Sequence, residues 1–149
     1  MCEVSRQMTG SEEVVLNALT NLKNGKIGNA IAHFAAEFRF KDHGLGLEFN
    51  DKDRLEEFFR KSREFYPESF LQTGTIFLSG DHLITEWTLQ TVVTEPFYGQ
   101  LTRQVRVSLP GISIVRTESG LITDWADYYD GLTSRRTALA SHFTEWREL

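Results

Sequence analysis

The feature that most constrains the fold is a run of strand-like segments between Glu68 and Asp130. Each segment is rich in β-branched, aromatic or alternating apolar residues, and short turns with glycine or proline separate them. Connections this short join antiparallel neighbours, because a parallel crossover needs a dozen or more residues. This half of the chain is therefore predicted to form an antiparallel, meandering sheet with strands over 69–78, 83–94, 101–109, 112–117 and 121–129.

Helical periodicity fills the part of the chain before that sheet. Apolar residues recur at helical spacing over 11–22, where Thr9 and Glu12 match a capping box, and again over 27–34. Gly25 and Gly28 break the first of these helices. The sequence therefore predicts a pair of helices at the start of the domain.

Further elements follow the helix pair and the sheet. A short strand is predicted over 37–41, and a third helix begins after a cap at Asn50 or Asp51 and ends before Pro67. A last helix is predicted over 134–149. Helices followed by a sheet indicate an α+β domain in which the helices cover one face of the sheet.

Composition excludes several classes of protein. At 149 residues and 40% hydrophobic content, the chain can bury a core as one domain over residues 1–149. The net charge of −5 and the scattered lysines and arginines predict no nucleic-acid partner. The one cysteine, Cys2, allows no intramolecular disulfide and favours a cytoplasmic setting. Since no signal sequence or membrane-length apolar run is present, we expect no membrane association.

The last predicted strand mixes carboxylates with aromatic rings. Side chains alternate along a strand, so Trp125, Asp127 and Tyr129 share one face. A carboxylate among aromatic walls loses solvation and its pKa rises, which suits a general acid or base. We therefore predict a small-molecule cavity that contains Asp127. The alternative is a filled core in which Asp127 is hydrogen-bonded to a backbone amide, to Tyr66 or to Tyr98.

Another predicted strand supplies apolar walls for such a cavity. Trp87 and Leu89 alternate onto one face of the segment 83–94. If that face adjoins Asp127, the interior is an aromatic-lined cavity with few polar groups, which is the usual composition of a ligand site.

A second candidate group precedes the glycine-rich turn after the first strand. Asp42 and His43 could act as base and orienting group, or as two metal ligands, but both residue types also form ordinary turns beside glycine. Alternation lets only one of them face inward, and Phe40 would then accompany Asp42. Arg106 is either a solvated surface arginine or a group that holds an anionic substrate.

No cofactor is predicted from sequence motifs. Phosphate-binding glycine loops and hydrolase nucleophile elbows are missing from the sequence, and the histidines lack the spacing of metal ligands. We therefore expect neither a nucleotide cofactor nor a metal.

The order of elements resembles the cone-shaped fold shared by nuclear transport factor 2, ketosteroid isomerase, scytalone dehydratase, limonene-1,2-epoxide hydrolase and the SnoaL polyketide cyclases. Its most specific piece is Gly120-Leu-Ile-Thr-Asp-Trp-Ala-Asp-Tyr-Tyr-Asp130, which is similar to the family's closing pattern of a glycine turn, Trp-x-Asp-Tyr and an aromatic-Asp pair. The segment 34–42 also looks like the family's helix-to-strand segment. The resemblance implies a curved antiparallel sheet with the N-terminal helices on its concave face, a homodimer, and an aspartate acid or base at Asp127.

The chain departs from the epoxide hydrolases within this group. Trp87 and Leu89 stand where those enzymes have an Arg-x-Asp pair, so epoxide hydrolysis is not expected. Phe40 and Asp42 stand where they have a tyrosine and an asparagine. Two aspartates therefore remain as candidate acid and base.

The resemblance thus implies a cyclase- or isomerase-type enzyme that acts on a small hydrophobic carbonyl compound. Asp127 would be its general acid/base, assisted by Asp42 or His43. The alternative is a non-catalytic module that uses the same cavity to bind a hydrophobic ligand or a partner, because this fold also serves such proteins. The predicted substrate-binding residues are Phe40, Trp87, Leu89, Trp125, Tyr129 and Arg106.

Overall fold

The computed structural model describes residues 9–96 and 102–131 of the chain. The predicted last helix over 134–149 therefore lies outside the described residues. Within them the fold is α+β, as the sequence predicts. In chain order its elements are α1 (Gly10–Lys23), α2 (Ile27–Ile31), β1 (Phe34–Asp42), β2 (Leu47–Phe49), α3 (Lys52–Phe65), β3 (Phe70–Ser79), β4 (His82–Pro96), β5 (Thr102–Glu118) and β6 (Leu121–Tyr129).

The helices begin where the sequence predicts them to begin. The Thr9 hydroxyl accepts a hydrogen bond from Glu12 N at 3.3 Å, and the Glu12 carboxylate accepts one from Thr9 N at 2.8 Å, which completes the capping box of α1. Asp51 caps α3 by accepting from Arg54 N at 2.9 Å. Local side-chain chemistry thus fixes the start of both long helices.

The second helix is shorter than its apolar spacing predicts. It ends at Ile31, and Phe34 begins β1 instead of closing the helix, so the prediction of a helix over 27–34 is wrong at its end. Phe34 lies opposite Ile122 of β6, and both side chains are buried. This long-range strand pairing outweighs the helical pattern of the local sequence.

All six strands of the described chain form one sheet in the order β2-β1-β6-β5-β4-β3. The meander from β3 to β6 is antiparallel, as predicted, and so is the pair of β1 with the short strand β2, which is not predicted from the sequence. The β1–β6 pair is parallel, with Asp42 opposite Asp127. A parallel pair is possible here because α3 and the whole meander separate the two strands along the chain.

One long strand replaces two predicted ones. The segments 101–109 and 112–117 belong to a single strand, β5, which pairs with β4 along its length. The sequence pattern predicts that a strand ends at Pro110. In the structure β5 continues through Pro110, and β6 pairs with β5 only as far as Gly111. At Pro110 the β6 side of β5 is therefore an edge, where a missing N–H costs no ladder bond.

A core of aromatic side chains fills the β1–β6 end of the concave face. The Phe40 ring lies 5.5 Å from that of Phe59 and 6.2 Å from that of Trp125, between centroids, and Phe40 and Trp125 are almost fully buried. Val15 and Leu19 of α1 pack into the same cluster. The free space beside this core is lined by strands β3 to β6 and by Asp42 of β1.

Within the described chain, none of the helices has the length and apolar character needed to cross a membrane.

Candidate functional site

A cavity of about 260 Å³ lies between the concave face of the sheet and helices α1 and α3. Most of its wall is apolar, with Leu19 and Phe58 on the helices and Leu71, Leu89 and Leu109 on the strands. Ligand pockets usually measure roughly 300–1,000 Å³. This cavity is therefore the size for a small compound of one or two rings.

Strand alternation brings the predicted residues of β6 and β4 to this cavity. Trp125, Asp127 and Tyr129 line it from β6, and Trp87 and Leu89 line it from β4. β5 lies between these strands and adds Ser113, whose side chain is buried. One end of an apolar cavity thus carries a cluster of hydrogen-bonding side chains.

Asp127 is held by two donors that reach the same oxygen. The Ser113 hydroxyl donates to Asp127 Oδ1 at 2.5 Å, and Trp125 Nε1 donates to it at 2.6 Å. Trp87 Nε1 donates to Ser113 Oγ at 2.8 Å. Because an indole N–H can only donate, Ser113 must accept from Trp87, which leaves its own proton for Asp127.

These contacts decide where Asp127 carries its proton. Oδ1 already receives two hydrogen bonds, and no described residue donates to Oδ2. The neutral carboxyl group therefore carries its proton on Oδ2. In the described part of the chain the side-chain donors to Asp127 are Ser113 and Trp125. Tyr98, one of the partners named in the filled-core alternative, lies outside the described residues.

The environment of Asp127 raises its pKa from the ordinary 3.8 to about 7. Burial is the largest cause, because it penalises the charged form, and the nearby charge of Asp42 acts in the same direction. The hydrogen bonds from Ser113 and Trp125 oppose the shift because they stabilise the carboxylate. Asp127 can therefore both bind and release a proton near neutral pH.

Asp42 is a buried carboxylate with its own set of donors. The Tyr129 hydroxyl donates to its Oδ1 at 2.7 Å, and Leu45 N donates to the same oxygen at 2.8 Å. Burial raises the pKa of Asp42, while the bonds from Tyr129 and from the Leu45 and Gly44 amides lower it. Burial and the charge of Asp42 also raise the pKa of Tyr129, which keeps this phenol protonated and donating.

The two aspartates form one coupled pair. Asp42 and Asp127 are direct neighbours across the parallel β1–β6 ladder, where adjacent strands lie about 4.8 Å apart. Three donors, the Tyr129 hydroxyl and the Leu45 and Gly44 amides, stabilise the charge of Asp42, whereas two described donors reach Asp127. We therefore assign the negative charge to Asp42 and the exchangeable proton to Asp127.

Three predicted site residues lie away from the cavity. His43 points outward, is exposed, and stacks on Tyr128 with ring centroids 4.3 Å apart. Phe40 is buried in the aromatic core, and Arg106 is exposed on β5. Alternation explains His43, because it follows the inward-facing Asp42. Phe40 shares the inward face with Asp42, but Phe59 and Trp125 cover its ring.

Among the cavity-lining side chains that sequence reasoning missed are three that bear on its chemistry: Ser113, Lys23 and Arg63. Ser113 lies two positions before Val115, and both side chains are on the inward face of an apolar strand. A polar residue at such a position is the signal by which the sequence could have indicated Ser113. Lys23 and Arg63 lie near the ends of α1 and α3, and their place beside the cavity depends on how these helices pack.

The described residues contain no group of three or more histidine, cysteine, aspartate or glutamate side chains that could hold a metal ion.

A curved sheet with helices over its concave face, and a cavity between them, defines the nuclear transport factor 2-like and ketosteroid isomerase-like class of folds. A family model of the SnoaL-like domain matches residues 15–125. The chain belongs to the SnoaL-like domain family. A sequence search of curated proteins gives no match.

Solved structures share this fold at low sequence identity. A protein described as a SnoaL-like polyketide cyclase, from Jannaschia sp. CCS1, is 16% identical with a TM-score of 0.73, over 93% of this chain and 98% of that one. A protein described in the same way, from Shewanella putrefaciens CN-32, is 12% identical with a TM-score of 0.71, over 89% and 88%. TerC, co-crystallised with polyporic acid, is 13% identical with a TM-score of 0.71, over 87% and 98%.

Proposed function

We propose that this protein is a cyclase- or isomerase-type enzyme that acts on a small hydrophobic carbonyl compound. Asp127 is its general acid/base, and Asp42 is the fixed charge that tunes it. The observation that carries the proposal is the pair of adjacent carboxylates at one end of an apolar cavity, with a pKa of about 7 for Asp127. General acid/base catalysis is most effective when the pKa of the group lies near the working pH.

The proposed step is a proton transfer next to a carbonyl group. Ionised Asp127 removes a proton from the carbon beside the carbonyl through Oδ2, and the electron pair of that C–H bond moves into the enolate. In a β,γ-unsaturated carbonyl substrate this enolate is a dienolate, and the same Oδ2 returns the proton to its γ-carbon, which gives the conjugated isomer. In a cyclisation, the enolate carbon instead attacks a second carbonyl carbon of the substrate, and Oδ2 protonates the resulting alkoxide.

Residues around Asp127 support this step in three ways. The donors Ser113 and Trp125 fix the carboxylate plane by holding Oδ1, which leaves Oδ2 for the substrate. The apolar wall excludes water, which would otherwise compete for the proton. Burial and the charge of Asp42 make Asp127 a stronger base than an ordinary carboxylate.

The direct test is hydrogen–deuterium exchange on a model ketone. The protein is incubated with 1-tetralone in D₂O, and loss of the proton signal at the carbon beside the carbonyl is followed by NMR. We expect exchange above the buffer rate for the wild type and a loss of about 100-fold or more for Asp127→Asn, the usual contribution of a general base. Asp124→Asn is the matched control, because Asp124 lies on the outer face of β6 and pairs with Arg39 at 3.0 Å.

A pH profile of the exchange rate separates the roles of the two aspartates. For the wild type, the rate should rise with pH through a midpoint near 7, since Asp127 must lose its proton to act as the base. Asp42→Asn removes a charge that raises the pKa of Asp127, so its midpoint should move to lower pH. An unchanged midpoint in Asp42→Asn would contradict the tuning role.

The alternative is a binding module without catalysis. The hydrogen bonds that Asp42 accepts favour this alternative. They connect β1 to the 43–46 turn and to β6, which is what a purely structural network would also do. Native mass spectrometry of the purified protein should show a bound small molecule in either case. Binding of 1-tetralone with exchange at the buffer rate would support the module over the enzyme.

A further inference from the structure

The cavity has a second polar end, opposite the carboxylate pair. Lys23 at the end of α1 and Arg63 near the end of α3 both line it. They are the basic side chains among the described lining residues, and both keep exposed surface.

Strand register places these cations far from Asp127. Lys23 Nζ lies 4.6 Å from the centre of the Phe70 ring, and Phe70 is opposite Gln90. Next to them, the Ser69 hydroxyl donates to Thr91 Oγ1 at 3.0 Å, and Thr91 pairs with Val107 of β5. Asp127 lies opposite Ser113 of the same strand. Val107 and Ser113 lie six positions apart on β5, so the cations and the carboxylate pair lie at opposite ends of the cavity.

Arg63 is held beside Lys23. Its Nη1 donates to the carbonyl oxygens of Leu22 and Lys23 at 3.5 and 3.3 Å, and its guanidinium packs over Gly25. Both of these long hydrogen bonds are donated by Nη1 of Arg63. Among the described residues, neither Lys23 nor Arg63 forms an ion pair with a carboxylate, whereas Arg60 of the same helix pairs with Glu56 at 2.9 Å.

We propose that Lys23 and Arg63 bind an anionic group of the substrate at the mouth of the cavity. The substrate class is then a small, elongated compound with a carboxylate-like group at one end, an apolar body and the reacting carbonyl at the other end. The charges fix its orientation, because an anion at the inner end would meet Asp42 and Asp127. This inference rests on the proposed function and adds the substrate class to it.

The test uses two probes that differ only in charge at one end. 6-Acetyl-2-naphthoate and 6-acetyl-2-naphthamide both carry a ketone, and calorimetric titration at pH 6 gives a Kd for each. We expect the naphthoate to bind wild-type protein about tenfold more tightly, the size of one hydrogen bond to a charged group. The double variant Lys23→Gln/Arg63→Gln should bind both probes equally. Each single variant should retain part of the preference, which keeps the test valid if the double variant is unstable.

Arg60→Gln is the matched control, since it removes the same charge from α3 away from the cavity and should keep the tenfold preference. Equal binding of the two probes by the wild type, or a preference that survives in the double variant, would overturn the anion site and leave the proposed function intact. If neither probe binds, the anion site is overturned, while the proposed function is decided separately by hydrogen–deuterium exchange on 1-tetralone.

Discussion

At the residue scale, Asp127 is shaped by opposing effects that the structure separates. Burial and the charge of Asp42 favour its neutral form, while Ser113 and Trp125 favour its charged form. Because burial dominates, the pKa rises to about 7. The donors act mainly on geometry, since they occupy Oδ1 and direct the exchangeable proton to Oδ2.

The raised pKa of Asp127 predicts how stability changes with pH. In the unfolded chain this group ionises near pH 3.8, whereas in the fold it stays protonated up to about pH 7. The unfolded state therefore binds fewer protons between these values, and the free energy of unfolding should fall as pH rises, by up to about 1.4 kcal/mol per pH unit from this group. Asp42, whose pKa is also raised, acts in the same direction.

Urea unfolding of the wild type and of Asp127→Asn between pH 4 and pH 8 measures this effect. The difference in unfolding free energy between the two proteins should change with pH up to about pH 7 and then become constant. A difference that does not depend on pH would show that Asp127 ionises normally in the fold.

At the scale of elements, one close approach between strands sets the shape of the cavity. Gly111 of β5 lies directly opposite Trp87 of β4, and the indole ring occupies the space where a side chain at residue 111 would begin. The ring is rigid and only 8% exposed, so it has little room to move. The Trp87 wall and its bond to Ser113 thus depend on a residue without a side chain.

Gly111→Ala should therefore displace Trp87 and break its hydrogen bond to Ser113. We expect a loss of about 1–3 kcal/mol in unfolding free energy, typical of overpacking, with weaker binding of 1-tetralone. Thermal unfolding and ligand titration measure the two effects. Gly10→Ala is the control, because a methyl group added at the start of α1 would meet open space. Wild-type stability in Gly111→Ala would contradict this account of the cavity wall.

Sequence patterns predict those elements whose cause is local. The capping residues Thr9 and Asp51, and the alternation that turns Trp125 and Asp127 inward, are readable because each depends on near neighbours along the chain. The continuity of β5 through Pro110 cannot be read from the sequence, because it depends on where β6 ends. The same holds for the short strand β2, which exists as a partner of β1.

The candidate site also has parts that can be predicted from the sequence and parts that cannot. Asp42 and Asp127 are recognisable in the sequence as carboxylates on inward-facing positions, but their adjacency follows from the parallel pairing of β1 with β6. Ser113 joins them only because β5 lies next to β6. Helix packing brings Arg63 to the far end of the cavity, and no spacing in the sequence encodes that contact.

At the scale of the whole molecule, the outer face of the sheet carries an apolar row. Phe77, Ile84, Ile114 and Ala126 are consecutive partners across β3, β4, β5 and β6, so they share one face. Phe77 is 51% exposed. Contiguous apolar surface of this kind is typical of a protein interface, and it supports the homodimer that the family resemblance implies.

We predict that the protein sediments as a dimer at micromolar concentration in analytical ultracentrifugation. Ile114→Glu should shift it to a monomer, because a charge in the centre of the row would be buried unpaired in the interface. Thr20→Glu, which adds the same charge to the exposed side of α1, should leave the dimer intact. A wild-type monomer would rule out this use of the outer face.

The parallel pairing of β1 with β6 also has a consequence for the order of folding. Tyr129 and Asp42 are bonded across 87 positions of sequence, whereas the hairpins of the meander join strands that are consecutive in the chain. Contacts between distant segments form slowly, because a long loop must close first. The acid pair is thus assembled when the sheet closes, late in folding. Refolding at pH 6 should end with uptake of a proton by Asp127, visible with an indicator dye.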